Sequence, residues 1–342
     1  MNHKSVGVGA LMAGLLAMTA LVAGQAVSPV SKTVNATKTT WTAPRTPDGH
    51  PDLQGVWTNN TRTPLQRPKE LGTKEFYTEA ELSALEKREA DRLAKNEEDG
   101  RPTEPGTAAD VHYDFSEYGL DPAQAKQVWN LRTSMIIGPE GTIPQQTAEA
   151  RKRIAARQAE GRGHEFDGPE SRPLGARCLA FANVGPPLLP AGYNSNLQIT
   201  QGANAVVIET EMIHDARVVD MTGRAHPASN IRQWKGDSIG HWEGDTLVID
   251  TTNFTDQTPY AGAQNLHVIE RLTRMDKDTI RYQFTVEDPG MWIKPWSAET
   301  SFSKIGGLIY EYACNEANYG LANTLSGARV AEKEAAAQKS GK

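Results

Sequence analysis

Over residues 197–319 the chain alternates apolar and polar side chains in short runs, broken by Gly, Asp and Asn and with almost no helical periodicity. That pattern restricts the possible folds more than any other feature. Strands are expected over 197–200, 205–212, 216–221, 296–302 and 308–314. Glu243-Gly244-Asp245 turns one hairpin between 239–242 and 246–250, and Met275-Asp276-Lys277-Asp278 turns another between 267–274 and 279–286. Roughly eight strands in series imply a mainly β, antiparallel barrel, with a β-sandwich as the alternative.

The front of the chain differs. Lys4, an apolar run over 6–22 and the small residues Gly24 and Ala26 form the pattern of a cleaved bacterial export signal, residues 1–26. No second apolar segment follows, so a periplasmic or secreted protein is expected, without membrane attachment after cleavage. Residues 27–40 read as a disordered tether. Residues 41–170 carry an N-terminal strand, 53–58, and helical and loop decoration. A capping box, Thr78 with Glu81, starts a charged helix that ends at Gly100, a second polar helix spans 147–161, and 132–137 reads as a strand between them. The β core is assigned to 171–325 and a flexible tail to 326–342.

Net charge of −6 with no basic stripe excludes a nucleic-acid partner. Cys178 and Cys314 are the only cysteines; in an oxidising compartment an even pair implies one disulfide, buried free thiols being the alternative.

Chemistry-bearing residues crowd the β block. Glu209, Glu211, His214, Asp215 and Arg217 lie around the end of one expected strand, where a His beside an Asp can act as acid or base, as a metal ligand, or as a structural pair. Alternation over 267–274 puts Glu270 on the core side, held there only if paired, and His267 at a rim with Arg271 on its face. His214, His226, His241 and His267 are four of eight histidines. Two or three of them meeting a Glu would make a zinc-type or non-haem iron site, although no close H-x-H or H-E-x-x-H spacing supports one. No other cofactor is evident, so a divalent metal stays open. Gly236-Asp237-Ser238-Ile239-Gly240 matches the hydrolase elbow G-x-S-x-G, but a hairpin follows where a helix is needed, and Ser238 reads as a turn residue. Trp292 and Trp296 read as a lid at a cavity mouth, with Tyr310 and Tyr312 on its wall, or all of them simply as core.

Gly55-Val56-Trp57 resembles the Gly-x-Trp signature of lipocalins and related calycins, whose eight-stranded barrels hold a small ligand. It implies a calycin-like barrel lengthened by the two N-terminal helices. The chain from residue 51 to about 319 is also similar to a family of uncharacterised exported bacterial proteins. That similarity rests on Gly55-Val56-Trp57-Thr58-Asn59, Thr63-Pro64-Leu65, Arg132-Thr133-Ser134, Arg172-Pro173-Leu174-Gly175 with Cys178, Met212-Ile213-His214-Asp215-Ala216-Arg217, Trp242-Glu243-Gly244-Asp245-Thr246-Leu247-Val248 and Cys314-Asn315-Glu316. Where the family has Cys-His-Glu, Asn315 replaces the imidazole, which argues against a mechanism that needs one there.

Three functions compete. The first is a hydrolase, lyase or isomerase acting on a small molecule in the barrel. His214 would be its acid/base, oriented by Asp215, with Glu211 or Glu270 as second carboxylate and Arg217 or Arg271 holding an anionic group. The others are a non-catalytic lipocalin-like carrier and a carbohydrate-binding module using Trp292 and Trp296.

Overall fold

The computed structural model describes residues 41–99, 131–191, 193–256, 265–316 and 318–340. The export signal, the tether and most of the loop after the first helix lie outside them. Nine strands close into one barrel in sequence order: β1 (Gly55–Thr58), β2 (Asn196–Gln201), β3 (Ala205–Thr210), β4 (Asp215–Asp220), β5 (Asp237–Glu243), β6 (Thr246–Thr252), β7 (His267–Arg274), β8 (Thr279–Glu287) and β9 (Trp296–Lys304). Strand β1 seals the barrel by pairing with both β2 and β9.

Alternation decides which side chains enter. Val206, Ile208 and Thr210 of β3, Val268, Glu270 and Leu272 of β7, and Ile280, Tyr282, Phe284 and Val286 of β8 all point inward and are buried. Trp57 fills the barrel near β1, fully shielded, with its indole N–H donating to the Leu53 carbonyl at 3.0 Å and the Arg274 guanidinium 4.8 Å from its ring centroid. The interior is therefore packed with side chains, each large one contributing about 1.5–3 kcal/mol of burial.

The barrel is not wholly antiparallel. A crossover of residues 221–236 carries the chain back before β5 begins, so β5 runs parallel to β4 and pairs with it only at Val219↔Ser238 and Asp220↔Ile239. Only the β1–β9 closure is as thin, also pairing at two residues. Gly236 makes the turn into β5 with φ of +70°, and a Cβ there would lie 2.4 Å from the Thr252 carbonyl oxygen. Gly236→Ala is expected to cost at least the 1–3 kcal/mol of a strained backbone conformation, roughly, read as a lower urea midpoint at unchanged m-value.

Helix α1 (Glu79–Asp99) starts on the expected capping box: the Thr78 amide donates to Glu81 Oε2 at 2.8 Å and the Glu81 amide to Thr78 Oγ1 at 3.3 Å. Helix α2 (Ala148–Gly161) is capped by Thr147. Two expected strands are absent. Residues 132–137 make only the isolated bridges Phe76↔Arg132 and Ile136↔Ala298, and 308–314 form no strand because β1 already occupies the free edge of β9. The stretch read as a flexible tail from 326 belongs, as far as residue 340, to helix α3 (Tyr319–Ser340), which buries no residue. A disulfide joins Cys178 and Cys314. Among the described residues no helix is long and apolar enough to cross a membrane.

Candidate functional site

Inside the barrel Arg217 enters from β4 and Glu270 from β7, 5% and 0% exposed. The guanidinium grips the carboxylate with two N–H groups, Nη2 donating to Oε1 at 2.9 Å and Nη1 to Oε2. The Tyr282 hydroxyl donates to Glu270 Oε1 at 2.6 Å and accepts from the Leu188 amide at 2.8 Å. Burial pushes the Tyr282 hydroxyl well above its ordinary range, so it stays a donor. Glu270 is thus paired, as its inward position demands. Glu270 has no exposed surface and Arg217 is bonded to it, so the geometry lends their expected catalytic and anion-binding roles no support.

The rim at the end of β3 and the start of β4 holds the rest of the expected cluster. Residues 212–214 form a short 3-10 turn in which Ile213 and His214 take φ of +55° and +50°. Two consecutive left-handed non-glycine residues, one β-branched, store strain of the kind found at functional sites. The expected partners of His214 are corrected. Its Nε2 lies 3.1 Å from Glu209 Oε1, whereas Asp215 pairs with Lys235 Nζ at 2.6 Å. Burial lowers the Lys235 ammonium even against the opposing pull of Asp215. Glu211 is 9% exposed, and burial raises its carboxyl from the ordinary value although Asn194 and Asn196 hydrogen bond to it. Its backbone tethers both sides of the rim: the Glu211 amide donates to the Asn196 carbonyl at 2.9 Å, and its own carbonyl accepts from the His214 amide at 3.0 Å. Glu211 Oε2, Asn196 Oδ1 and Asn59 Oδ1 are buried without a hydrogen-bond partner among the described residues.

On the outer wall a second polar cluster gathers around Asp250. His226 Nδ1 meets Asp237 Oδ2 at 2.7 Å and its Nε2 meets Asp250 Oδ1 at 3.1 Å. His267 Nε2 lies 3.1 Å from Asp250 Oδ2, and its Nδ1 lies 3.0 Å from Glu287 Oε2. The two imidazoles use different oxygens of Asp250, which bridges them and leaves no common centre. Among the described residues no group of three or more His, Cys, Asp or Glu is placed to hold a metal ion, so the geometry lends the divalent-metal expectation no support.

The remaining expected residues scatter. Arg271 faces outward and bonds Glu243 Oε2 at 2.6 Å. Trp292 and Trp296 pack against the core, Trp296 edge-on to Phe284 at 5.7 Å, which leaves them poorly placed as a lid. Tyr310 is 69% exposed in an irregular segment and lines no cavity wall. Ser238 is a buried strand residue sharing a 2.9 Å hydrogen bond with Thr251, neither a turn residue nor an exposed nucleophile. A cavity of about 300 Å³ opens at the opposite mouth of the barrel, lined by Asp48, His50, Gln201, Met221, His241 and Trp242 among others. The sequence reading missed Lys235 and undervalued His226. Both ride on the crossover, whose polar composition announces a loop but not which strands it visits. Compared with known proteins, no family model matches this chain and no curated sequence matches it.

Proposed function

We propose that the protein is an exported enzyme performing acid/base chemistry on a small organic molecule at the β3–β4 rim, not in the barrel centre. The observation that carries this is Glu211: a nearly buried carboxyl, favoured in its protonated form by burial, with an unpartnered oxygen, its backbone bonded to a strained His214. Such a carboxyl suits a general acid, and His214, half exposed beside Glu209, suits the base. The burial-lowered Lys235 is a second proton carrier whose ammonium can face developing negative charge. The unpartnered oxygens of Asn59, Asn196 and Glu211 would take a hydrogen-bond donor such as a hydroxyl or an amine, and Lys235 Nζ, ion-paired with Asp215 but also without a hydrogen-bond partner among the described residues, would take an acceptor. Export is supported by the disulfide. A calycin-like likeness belongs to the same reading, supported by the buried Trp57 of Gly55-Val56-Trp57, as does kinship with the exported family whose motif supplies residues 212–217.

Turnover of a panel of lactones, aryl esters and hydroxy acids by the mature protein tests the proposal. His214→Ala and Glu211→Gln are each expected to lower any kcat/KM found by about 10²–10⁴-fold with the circular dichroism unchanged, the usual size of a lost acid or base. Turnover indifferent to both substitutions would place the chemistry elsewhere. The 300 Å³ cavity favours a second reading, non-catalytic ligand carriage at the opposite mouth. A ligand retained in native mass spectrometry by both rim variants but lost on Trp242→Ala would support carriage.

A further inference from the structure

A long polar network lies outside the rim site and takes no part in the chemistry proposed there. Seven side chains follow one another at hydrogen-bond or ion-pair distance: Glu287, His267, Asp250, His226, Asp237, Arg224 and Asp220, the link from His267 Nε2 to Asp250 being an ion pair at 3.1 Å without hydrogen-bond geometry. Asp220 ends β4, Asp237 begins β5, Asp250 lies on β6, His267 on β7 and Glu287 on β8. Arg224 and His226 belong to the crossover. We propose that this network is a proton-operated clasp: while the His267 imidazole is protonated it fastens the first half of the crossover, residues 222–226, across the β4–β5 seam, and its deprotonation releases that segment.

The bonding pattern carries the inference. Each imidazole has a carboxylate oxygen at both ring nitrogens, His226 between Asp237 and Asp250 and His267 between Asp250 and Glu287. A neutral imidazole has one N–H and one lone pair, so it satisfies one such neighbour and turns a lone pair on the other; only the imidazolium donates to both. Charge points the same way. The network holds four carboxylates, and protonation of His267 sets a cation between two of them, Asp250 and Glu287. The position also matters, since β4 and β5 pair at only two residues and the clasp ties β4 to β5, β6 and β7 across that short seam.

The bond to Asp250 holds the His267 imidazolium above its ordinary value of 6.5, against burial. Burial works to raise the Asp237 and Asp250 carboxyls, but Arg224 and His226 at the first, and His267 and His226 at the second, hold both below the ordinary 3.8. A raised imidazolium contributes fully below about pH 6.5 and is lost as pH rises through its folded value; lowered carboxyls contribute fully above about pH 4. The clasp is thus closed between those limits and loosens on the alkaline side. The second half of the crossover does not depend on it. The Asn253 side-chain amide donates to the carbonyls of Pro227 and Ile231, both at 3.1 Å, and the Gln233 amide donates to the Asn253 carbonyl at 2.9 Å, none of them titrating.

That division supplies the test. Trypsin cleavage after Arg224 is measured by mass spectrometry relative to cleavage after Arg232 in the same digest, which cancels the protease's own pH dependence. Between pH 6 and pH 8.5 the Arg224/Arg232 ratio is expected to rise several-fold in the wild type. His226→Gln and His267→Gln should each raise the ratio at pH 6, and His267→Gln should also flatten its pH dependence. A wild-type ratio that stays constant overturns the clasp, as does a pH dependence that survives both substitutions. NMR titration of the His267 ring checks the cause: a value above 6.5 that falls in Asp250→Asn agrees with the clasp, and one unmoved by that substitution refutes it. None of these readings involves turnover, so they stand or fall separately from the rim enzyme.

Discussion

Glu270→Ala is expected to destabilise the protein by about 3–5 kcal/mol, because it leaves the Arg217 guanidinium buried without its carboxylate and the Tyr282 hydroxyl without its acceptor. The loss is mainly the uncompensated charge and only secondarily the cavity. Arg217→Met alone should cost a similar amount by stranding the carboxylate. The pair Glu270→Leu with Arg217→Met removes both charges and should recover most of the loss, since a buried ion pair replaced by well-packed apolar groups is often neutral or better. Tyr282→Phe deletes one hydroxyl and should cost about 1–3 kcal/mol. Urea unfolding followed by tryptophan fluorescence reads all four. If Glu270→Ala costs less than about 1 kcal/mol, or if the double variant is the sum of the singles, the interior ion pair is not built as described.

That experiment also separates structure from chemistry. Residues 211, 214 and 217 are neighbours in sequence, and a reading by proximity joins them in one site with Glu270. The pleat separates them: Arg217 crosses into the core to meet Glu270, while the 3-10 turn keeps Glu211 and His214 at the rim. Period-2 alternation made most of the barrel legible, including both hairpins and the inward direction of Glu270, because burial of one face imprints itself directly on a strand. Pairing of the two cysteines was legible for the same kind of reason, there being no other partner. The direction of β5 was not. Nothing in residues 237–243 distinguishes a strand parallel to β4 from one antiparallel to it; only the path of the crossover decides. The false strand at 308–314 has the mirror-image cause, since its alternating tyrosines match the pattern but the barrel is already closed by β1. Lys235 and His226 escaped for want of any local mark. Their roles come from partners on β4, β5 and β6 that adjacency in sequence does not reveal.

Removing the disulfide by Cys178→Ser with Cys314→Ser is the second large perturbation, and the topology says where its effect should fall. The bond spans 136 residues, for which loop-closure entropy alone suggests about 5 kcal/mol of stabilisation through the unfolded chain. That figure presumes a native state that keeps its shape when the bond is gone. Here neither cysteine lies on a barrel strand, and helix α3 beyond Cys314 buries no residue. Its attachments are shallow: Arg329 donates to the Phe166 carbonyl at 2.8 Å, Leu321, Leu325 and Ala328 are only half-buried, and just ahead of the helix Asn318 donates to the Ala176 carbonyl at 2.9 Å and Tyr312 packs edge-on to Phe181 at 6.3 Å. Without the bond, the native segment after β9 gains freedom too, which offsets part of the entropy gained by the unfolded chain. Global stability should therefore drop toward the low end of the usual range, about 2 kcal/mol, while attachment of the segment is lost almost entirely. Limited proteolysis of the double variant should cut between Lys304 and α3 first and leave a barrel that still unfolds cooperatively in urea. Simultaneous loss of barrel and segment would show instead that the disulfide braces the barrel itself.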